Sequence, residues 1–305
     1  MAQTASTRRD TPEVMRRRLK VALRQEREAA GLTQREAAEA LDWSVSKILR
    51  IEQGAVAITP IDLRALLGVY KTVDEKRENE LVELARGSRK QLWSEYRDVY
   101  SLASLTLFGY EAAAKIIYKY EPTFIPGLLQ TEEYARALLD GLGFSEAQID
   151  LKVRARLERQ ELLDREPRPR LQFILGEACI SRPIGGDRVM THQLDRLRAM
   201  AARSDITLQL LPFSAGAHPR MGEAFTILQF SDENLDDLLY LENAGGESVS
   251  QENPDVIARY FQDFFTLQSK ANDAADFASD LDAIEAARLV TSASVDPSVE
   301  DRTPS

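Results

Sequence analysis

The chain has 305 residues, of which 44% are hydrophobic, and its formal net charge is −10 at pH 7. This length exceeds what one hydrophobic core usually serves, so we expect two domains. Cys179 is the single cysteine, which excludes an intramolecular disulfide and favours a small buried filler. No segment approaches the roughly 20 apolar residues of a membrane helix, and the N-terminus lacks the apolar stretch of a secretory signal. We therefore expect a cytoplasmic protein without membrane contact.

The charges are segregated along the chain. Residues 1–50 contain 11 Lys and Arg against 7 Asp and Glu, whereas residues 271–305 contain 2 against 8. A basic head on an acidic body is typical of a protein that binds a polyanion locally, with an affinity that falls as salt rises.

The first elements are a polar arm and a helix. Residues 1–11 are small and polar and predict a disordered arm. Pro12 suits the first turn of a helix that runs to Ala30, and Gly31 suits its C-terminal stop. Five arginines of this region either contact phosphates or form a solvated charged run: Arg8, Arg9, Arg16, Arg17 and Arg18.

Residues 32–54 contain two short helical patterns joined by a tight polar turn. Thr33 and Glu36 have the spacing of a capping box, so the first of these helices begins near Gln34. Asp42 follows at the corner, where a short polar side chain tolerates a left-handed conformation. Ser44 offers the next N-cap. The pattern predicts a helix-turn-helix.

The second helix of this motif has an inward and an outward face. Ile48 and Ile51 form the inward face, and the remaining side chains point elsewhere. The outward candidates are Val45, Ser46, Lys47, Leu49 and Arg50. A capped turn with a solvated helix face is the alternative, because any all-helical domain can contain one.

The 23 residues from Leu32 to Gly54 resemble the helix-turn-helix of the phage-repressor and xenobiotic-response-element (XRE) family of bacterial regulators. The resemblance implies an ion pair between Arg27 and Glu52, and binding of double-stranded DNA by a homodimer. Carried over by position, it also implies DNA contacts from Gln34, Ser44, Val45, Ser46, Lys47 and Arg50. Arg50 is suited to bidentate pairing with guanine, and Lys47 to a point charge on phosphate.

Helical patterns over residues 60–70 and 73–86 complete a five-helix DNA-binding domain, for which we expect the bounds 12–88. Gly87, Ser88 and Arg89 predict a linker, and an aromatic-rich second domain covers residues 93–270. In that domain, helical spacing is read over residues 111–120, 132–139 and 145–165.

Four strand-like runs follow, at residues 171–180, 206–212, 224–230 and 238–243, with a helix between the first two at 189–202 and another at 254–267. Short connections between the last three strands favour antiparallel pairing. We therefore expect an α+β fold in which an all-α domain precedes a domain with a small, mainly antiparallel sheet.

Three motifs of the second domain resemble the C-terminal domain of many actinobacterial regulators, catalogued as a domain of unknown function (DUF5753) and described as antitoxin-like. They read EPTFIPGLLQTEEYARALL, EACISRPIGG followed by HQLDRL, and LPFSAGAHP. The resemblance implies a domain that binds a small-molecule ligand or a small partner protein. The candidate residues are Pro126, Gly127, Leu128, Leu129, Gln130, Thr131, Arg182 and His218. As an alternative, these residues only form turns and pack the sheet.

Residues 271–305 form an acidic, alanine-rich tail, which we interpret as a loosely helical, solvating extension, with a specific docking segment as the alternative. No serine elbow, phosphate-binding glycine loop or metal-ligand spacing accompanies the carboxylates, so we expect neither an enzyme nor a cofactor. Two functions stay open. One is a transcriptional regulator that responds to a ligand or partner; the other is an antitoxin-like protein that sequesters a small protein, with DNA binding serving autoregulation.

Overall fold

The computed structural model describes residues 11–90, 92–232, 235–243, 246–250 and 253–294. Its contacts divide the chain into two compact units. The first comprises Met1–Lys115 with Gln229–Asp237, and the second comprises Ile116–Leu228 with Leu238–Ser305.

The first unit is helical. Its helices are α1 (Pro12–Ala29), α2 (Gln34–Ala40), α3 (Val45–Glu52), α4 (Pro60–Val69), α5 (Glu75–Ser88) and α6 (Leu102–Glu111). Side-chain oxygens cap the first five of them: Thr11, Thr33, Ser44, Thr59 and Asp74 each accept a hydrogen bond from a first-turn amide. These caps satisfy amides that a helix leaves without partners, so they fix where each helix begins.

The core of the five-helix bundle takes one side chain or more from each helix. Leu23, Ala37, Ile48, Leu63 and Leu81, from α1 to α5 in turn, are all 0% exposed. Burial of such apolar side chains is the main favourable term in folding. The predicted helical faces are therefore the faces that pack.

The predicted linker at residues 87–89 overlaps the end of α5 instead of forming a free connection. Ser88 is 1% exposed, and its carbonyl accepts a 2.8 Å hydrogen bond from Arg16. A Cβ atom added at Gly87 would overlap the Met15 side chain, so this glycine permits close approach of α1 and α5. Gly87 therefore lies at a contact between two helices and not in a linker.

A distant part of the chain completes the first unit. Residues 229–237 belong to it, although they lie more than a hundred positions after α6. The Arg18 Nε lies 2.8 Å from the Asp232 carboxylate, and the Arg17 guanidinium lies 5.6 Å from the centre of the Phe230 ring. Tyr110 of α6 meets the same Phe230 ring edge to face. These contacts give the polar N-terminal half of α1 a covering.

The second unit is α+β, as predicted, and is built on a six-stranded sheet. The strands are β1 (Ile116–Glu121), β2 (Arg170–Gly176), β3 (Ile206–Leu211), β4 (Ala224–Gln229), β5 (Leu238–Asn243) and β6 (Gly246–Ser250), in the order β3-β2-β1-β4-β5-β6. β1–β2 and β2–β3 pair in parallel, whereas β4–β5 and β5–β6 pair antiparallel. The sheet is thus mixed rather than mainly antiparallel.

Three details of the strand prediction were wrong. The helical spacing read over residues 111–120 is a strand from Ile116 onward, with Tyr118 and Tyr120 on one face. The run at 171–180 ends as a strand at Gly176, and the next five residues form the short helix α9 (Glu177–Ser181). Residues 206–211 pair with β2 and not with β4, because helical crossovers precede both β2 and β3.

Five further helices belong to this unit: α7 (Glu132–Gly141), α8 (Glu146–Gln160), α10 (Gly186–Ala201), α11 (Pro254–Lys270) and α12 (Phe277–Ser294). Helix α11 packs on one sheet face through Ile257, Tyr260, Phe264 and Leu267. The neighbouring strands contribute Tyr120, Ile174, Phe225, Ile227 and Leu239 to the same apolar cluster. This face therefore buries period-two strand residues against one helical stripe.

The interpretation of residues 271–305 as a loose extension was wrong for α12. Phe277 and Leu281 are 0% exposed. Arg198 of α10 lies 2.7 Å from both Asp282 and Glu285. Two acidic residues of this helix therefore pair with Arg198 of α10, while Phe277 and Leu281 pack inward. Residues 295–305 of the predicted tail lie outside the described residues.

Candidate nucleic-acid interface

Helices α2 and α3 and the turn between them form the predicted helix-turn-helix. Asp42 adopts the left-handed conformation expected at the corner, with φ 54°. The Trp43 amide donates a 2.9 Å hydrogen bond to the Ala38 carbonyl, which ties the turn to α2. Ile48 and Ile51 are buried, so α3 is held from behind by its inward face.

Glu52 anchors the C-terminal end of α3. It is 5% exposed, and its carboxylate accepts three hydrogen bonds: from Arg27 Nε at 2.7 Å, from Gln34 Nε2 at 2.9 Å and from the Tyr70 hydroxyl at 3.0 Å. The hydrogen bond to Glu52 raises the pKa of Arg27, while burial, followed by the Glu52 charge, raises the pKa of Tyr70. One carboxylate thus joins α1, α2 and α4 to the end of α3, and the Arg27–Glu52 ion pair is present.

The outward face of α3 is open to solvent. Ser44, Val45, Ser46 and Arg50 are exposed, with Val45 at 43%. Within the described residues, the Arg50 guanidinium has no hydrogen-bond or ion-pair partner. Its donors are therefore available to an external acceptor.

Two of the predicted contact residues are already engaged within the protein. Gln34 donates to Glu52, which leaves its carbonyl oxygen and one N–H for other partners. The Lys47 ammonium lies 3.4 Å from the centre of the Trp43 ring and 3.5 Å from Asp62 Oδ2. The structure therefore separates Gln34 and Lys47 from the open side chains Ser44, Val45, Ser46 and Arg50.

Arg35 is a further candidate for contact with DNA, which the position-by-position comparison with the repressor family did not include. It is the second residue of α2, it is exposed, and no partner engages its side chain in the part of the chain that the structure describes. A cation in the first turn of α2 stands beside Gln34, at the helix end where backbone amides also favour anions. Its position in the first turn, two residues after the N-cap Thr33, was the available signal.

The arginines of α1 do not form a phosphate-contacting run. Arg16 donates to the Ser88 carbonyl, Arg18 pairs with Asp232, and Arg17 is 5% exposed. Burial lowers the pKa of Arg17. Neither alternative, DNA contact or a solvated charged run, describes these three side chains, because they contact the protein itself. Arg8 and Arg9 lie outside the described residues.

The segment Pro126–Thr131 of the second unit is largely buried. Leu128, Leu129 and Gln130 are at most 1% exposed, and Pro126 is also buried. Gly127 lies against the Arg156 and Arg159 side chains, and Thr131 caps α7. Leu128, Leu129 and Gln130 are therefore not accessible at the surface, and their contact with a ligand or partner stays a prediction.

Side chains from α8 and α10 satisfy the backbone of this segment. The Gln193 carbonyl oxygen accepts from the Thr131 amide at 2.7 Å, and its amide group donates to the Leu129 carbonyl at 2.9 Å. Gln160 donates to the carbonyls of Gly127 and Gln130. A buried loop needs such partners, because its backbone polar groups have no water.

Arg182 and His218 lie near the carboxyl ends of the parallel strands. Arg182 is exposed and donates to the Thr123 carbonyl at 3.1 Å. His218 Nδ1 lies 2.8 Å from the Pro219 carbonyl, and its ring meets Tyr120 edge to face. The thiol of Cys179 is buried and donates to the Glu121 carbonyl, and burial raises its pKa. Of these side chains, Arg182 has the accessible position.

Neither metal ligation nor membrane crossing has support in the part of the chain that is described. Across those ranges, no cluster of three or more His, Cys, Asp or Glu side chains is arranged to hold a metal ion. None of the helices in the same ranges combines the length and apolar character that a membrane span needs.

Comparison with known sequences follows the same division. A family described as a helix-turn-helix domain matches residues 18–80, and a family described as a domain of unknown function (DUF5753) matches residues 105–280. Among curated proteins and among solved structures, no match to the chain was found. The second match extends over more than half of the chain and includes the start of α12. The chain therefore belongs to the DUF5753 family and carries a helix-turn-helix domain ahead of its DUF5753 domain.

Proposed function

We propose that the chain is a sequence-specific transcriptional regulator that inserts α3 into the major groove of double-stranded DNA. The observation that carries this proposal is the open outward face of α3, together with the anchoring of the same helix by Ile48, Ile51 and Glu52. The major groove admits an α-helix, and a helix fixed from behind presents its side chains in one orientation. Arg50 supplies a bidentate donor for guanine. Val45 and Leu49 supply apolar contact for thymine methyl groups.

The working form in this proposal is a homodimer. A single small module buries only about 600–1,000 Å² on DNA, and two-fold operators place their half-sites about one helical turn apart. Two copies of α3 then read two half-sites.

The DUF5753 domain in this proposal binds a small partner protein or a small ligand and changes the affinity of the regulator for DNA. Chain connectivity supports such a link. The chain leaves β4, packs on α1 through Phe230 and Asp232, and then returns to β5. Arg182 is the accessible candidate for contact, since Leu128, Leu129 and Gln130 are buried.

The DNA-binding part is tested by selecting duplexes from a random-sequence pool with the full chain. We expect Arg50→Ala to relax the preference at one base position at a loss of about 1–3 kcal/mol, because a bidentate contact is removed. Arg35→Ala is the matched control: loss of a phosphate contact weakens every sequence alike and lowers the salt slope by about 1. Uniform weakening by Arg50→Ala would overturn the base-reading role.

The partner part is tested by co-purification from the native cells. A small protein recovered in stoichiometric amount, which releases the chain from its selected duplex, supports a protein-responsive regulator. Tight sequestration of that protein with no change in DNA binding supports the antitoxin-like alternative instead.

A further inference from the structure

The ammonium of Lys47 on α3 is paired with two other side chains of the protein. Lys47 Nζ lies 3.4 Å from the centre of the Trp43 ring and 3.5 Å from Asp62 Oδ2. A cation over an indole face is attracted by the ring quadrupole, and a carboxylate at this distance adds Coulomb attraction. Two favourable contacts therefore oppose the extension of Lys47 toward an external anion.

Both partners of the ammonium are fixed by their own surroundings. Trp43 packs against the core cluster of the five-helix bundle, and its amide is bonded to Ala38. Asp62 lies in the first turn of α4, where Pro60 sets the backbone and the Asp62 amide donates to Thr59 Oγ1 at 3.1 Å. The pairing thus joins the N-terminal ends of α3 and α4, and it does not depend on a mobile loop.

Arg50 on the same helix has the opposite arrangement. It is exposed and has no partner among the described residues, whereas the Lys47 side chain is 39% exposed and Asp62 opposes its charge. The protein therefore withholds the cation suited to a point charge on phosphate, and leaves open the cation suited to pairing with a base edge.

We propose that Asp62 is an affinity-limiting residue, which with Trp43 withholds Lys47 from the phosphate backbone and so lowers the affinity of α3 for DNA of any sequence. This inference rests on the proposed function and deepens it. Phosphate contacts carry no sequence information, so a Lys47 contact would add to the binding of every duplex alike. Its withdrawal leaves a larger share of the binding to the base contacts, for which Arg50 is the candidate.

The Lys47–Asp62 pairing also sets how much the affinity for DNA changes when Asp62 loses its charge. A phosphate bound to Lys47 would lie about 7 Å from the Asp62 carboxylate, at which distance two like charges in water cost roughly a factor of three in affinity. Release of Lys47 to one phosphate would also steepen the dependence of log K on log salt by about 0.9.

The experiment measures equilibrium binding of the full chain over a salt series. One duplex is selected from a random pool by the wild-type protein, and the other is an unrelated duplex of the same length. We expect Asp62→Asn to bind the unrelated duplex about threefold more tightly, with a salt slope steeper by about 0.9. The steeper slope disappears in the double variant with Lys47→Met. Glu80→Gln, which removes one acidic charge on α5, keeps the wild-type slope.

A purely structural role for Asp62 predicts weaker binding with an unchanged slope, and that result overturns the inference. The inference is also overturned if Glu80→Gln and Asp62→Asn change the dependence of affinity on salt equally. Melting followed by tryptophan fluorescence verifies the fold, and Asp62→Ser repeats the test if Asp62→Asn melts early. A wild-type chain that selects no duplex overturns the proposed function and this inference with it. Selective wild-type binding with an unaltered Asp62→Asn slope overturns the inference alone.

Discussion

Replacement of Glu52 by alanine is expected to destabilise the DNA-binding unit strongly. The Glu52 side chain is 3% exposed and that of Arg27 is 11% exposed, so the substitution leaves a desolvated guanidinium without its carboxylate. It also leaves the donors of Gln34 and Tyr70 without their acceptor. Removal of one partner of a buried ion pair costs about 3–5 kcal/mol. That loss is a large share of the roughly 5–15 kcal/mol that stabilises a typical domain.

Both tryptophans of the chain, Trp43 and Trp93, lie in the first unit, so their fluorescence in a urea titration reports the unfolding of that unit. Glu83→Ala is the matched control, because Glu83 pairs with Arg86 on the surface of α5, where the two side chains are 68% and 57% exposed. An exposed pair contributes little to stability. A loss for Glu52→Ala that is no larger than that for Glu83→Ala would refute the anchoring role.

Three further predictions concern packing and charge. Gly87→Ala is expected to change stability by less than about 1 kcal/mol in tryptophan-monitored unfolding, because the added methyl group meets only the flexible end of the Met15 side chain and favours the helix, and a loss above about 1 kcal/mol would show that this side chain cannot move; Gly68→Ala, with nothing within 4 Å, gains stability or leaves it unchanged. Leu281→Ala, 0% exposed, is expected to lose about 2–5 kcal/mol by calorimetry and Leu289→Ala, 46% exposed, under about 1; equal losses contradict the docking of α12. Burial raises the pKa of Glu121, so the stability that its protonated side chain contributes is fully present below the pKa of the unfolded state and is lost as pH rises through the folded pKa. Glu121→Gln is therefore expected to raise the melting temperature relative to wild type at pH 7 but not at pH 4. An equal gain at both pH values contradicts this reasoning.

Local signals made the helix-turn-helix predictable. Thr33 with Glu36 forms a capping box, Ser44 caps α3, and Asp42 is left-handed at the corner, as the spacing of these residues indicates. Each depends on contacts within a few positions, so the sequence pattern contains the necessary information. The inward face at Ile48 follows from the helical period in the same way.

Long-range partners made the rest unpredictable. Lys47 is an outward residue by period, but its ammonium is taken by Asp62, fifteen positions later and on another helix. The proline and glycine of the Pro126–Thr131 segment are typical of an exposed turn, yet glutamines more than 25 positions away satisfy its backbone and allow it to be buried. Sequence period and turn composition do not contain these pairings.

The first unit is built from two distant parts of the chain, so it cannot be completed until late in synthesis. Asp232 and Phe230 reach Arg18 and Arg17 only after more than two hundred intervening residues have been added. At about 5–20 residues per second, the nascent chain waits roughly 10–40 s for them. During that interval a ribosome-bound helix-turn-helix has its fold but lacks the covering of α1. A fragment that stops at the end of α5 retains that unfinished surface permanently.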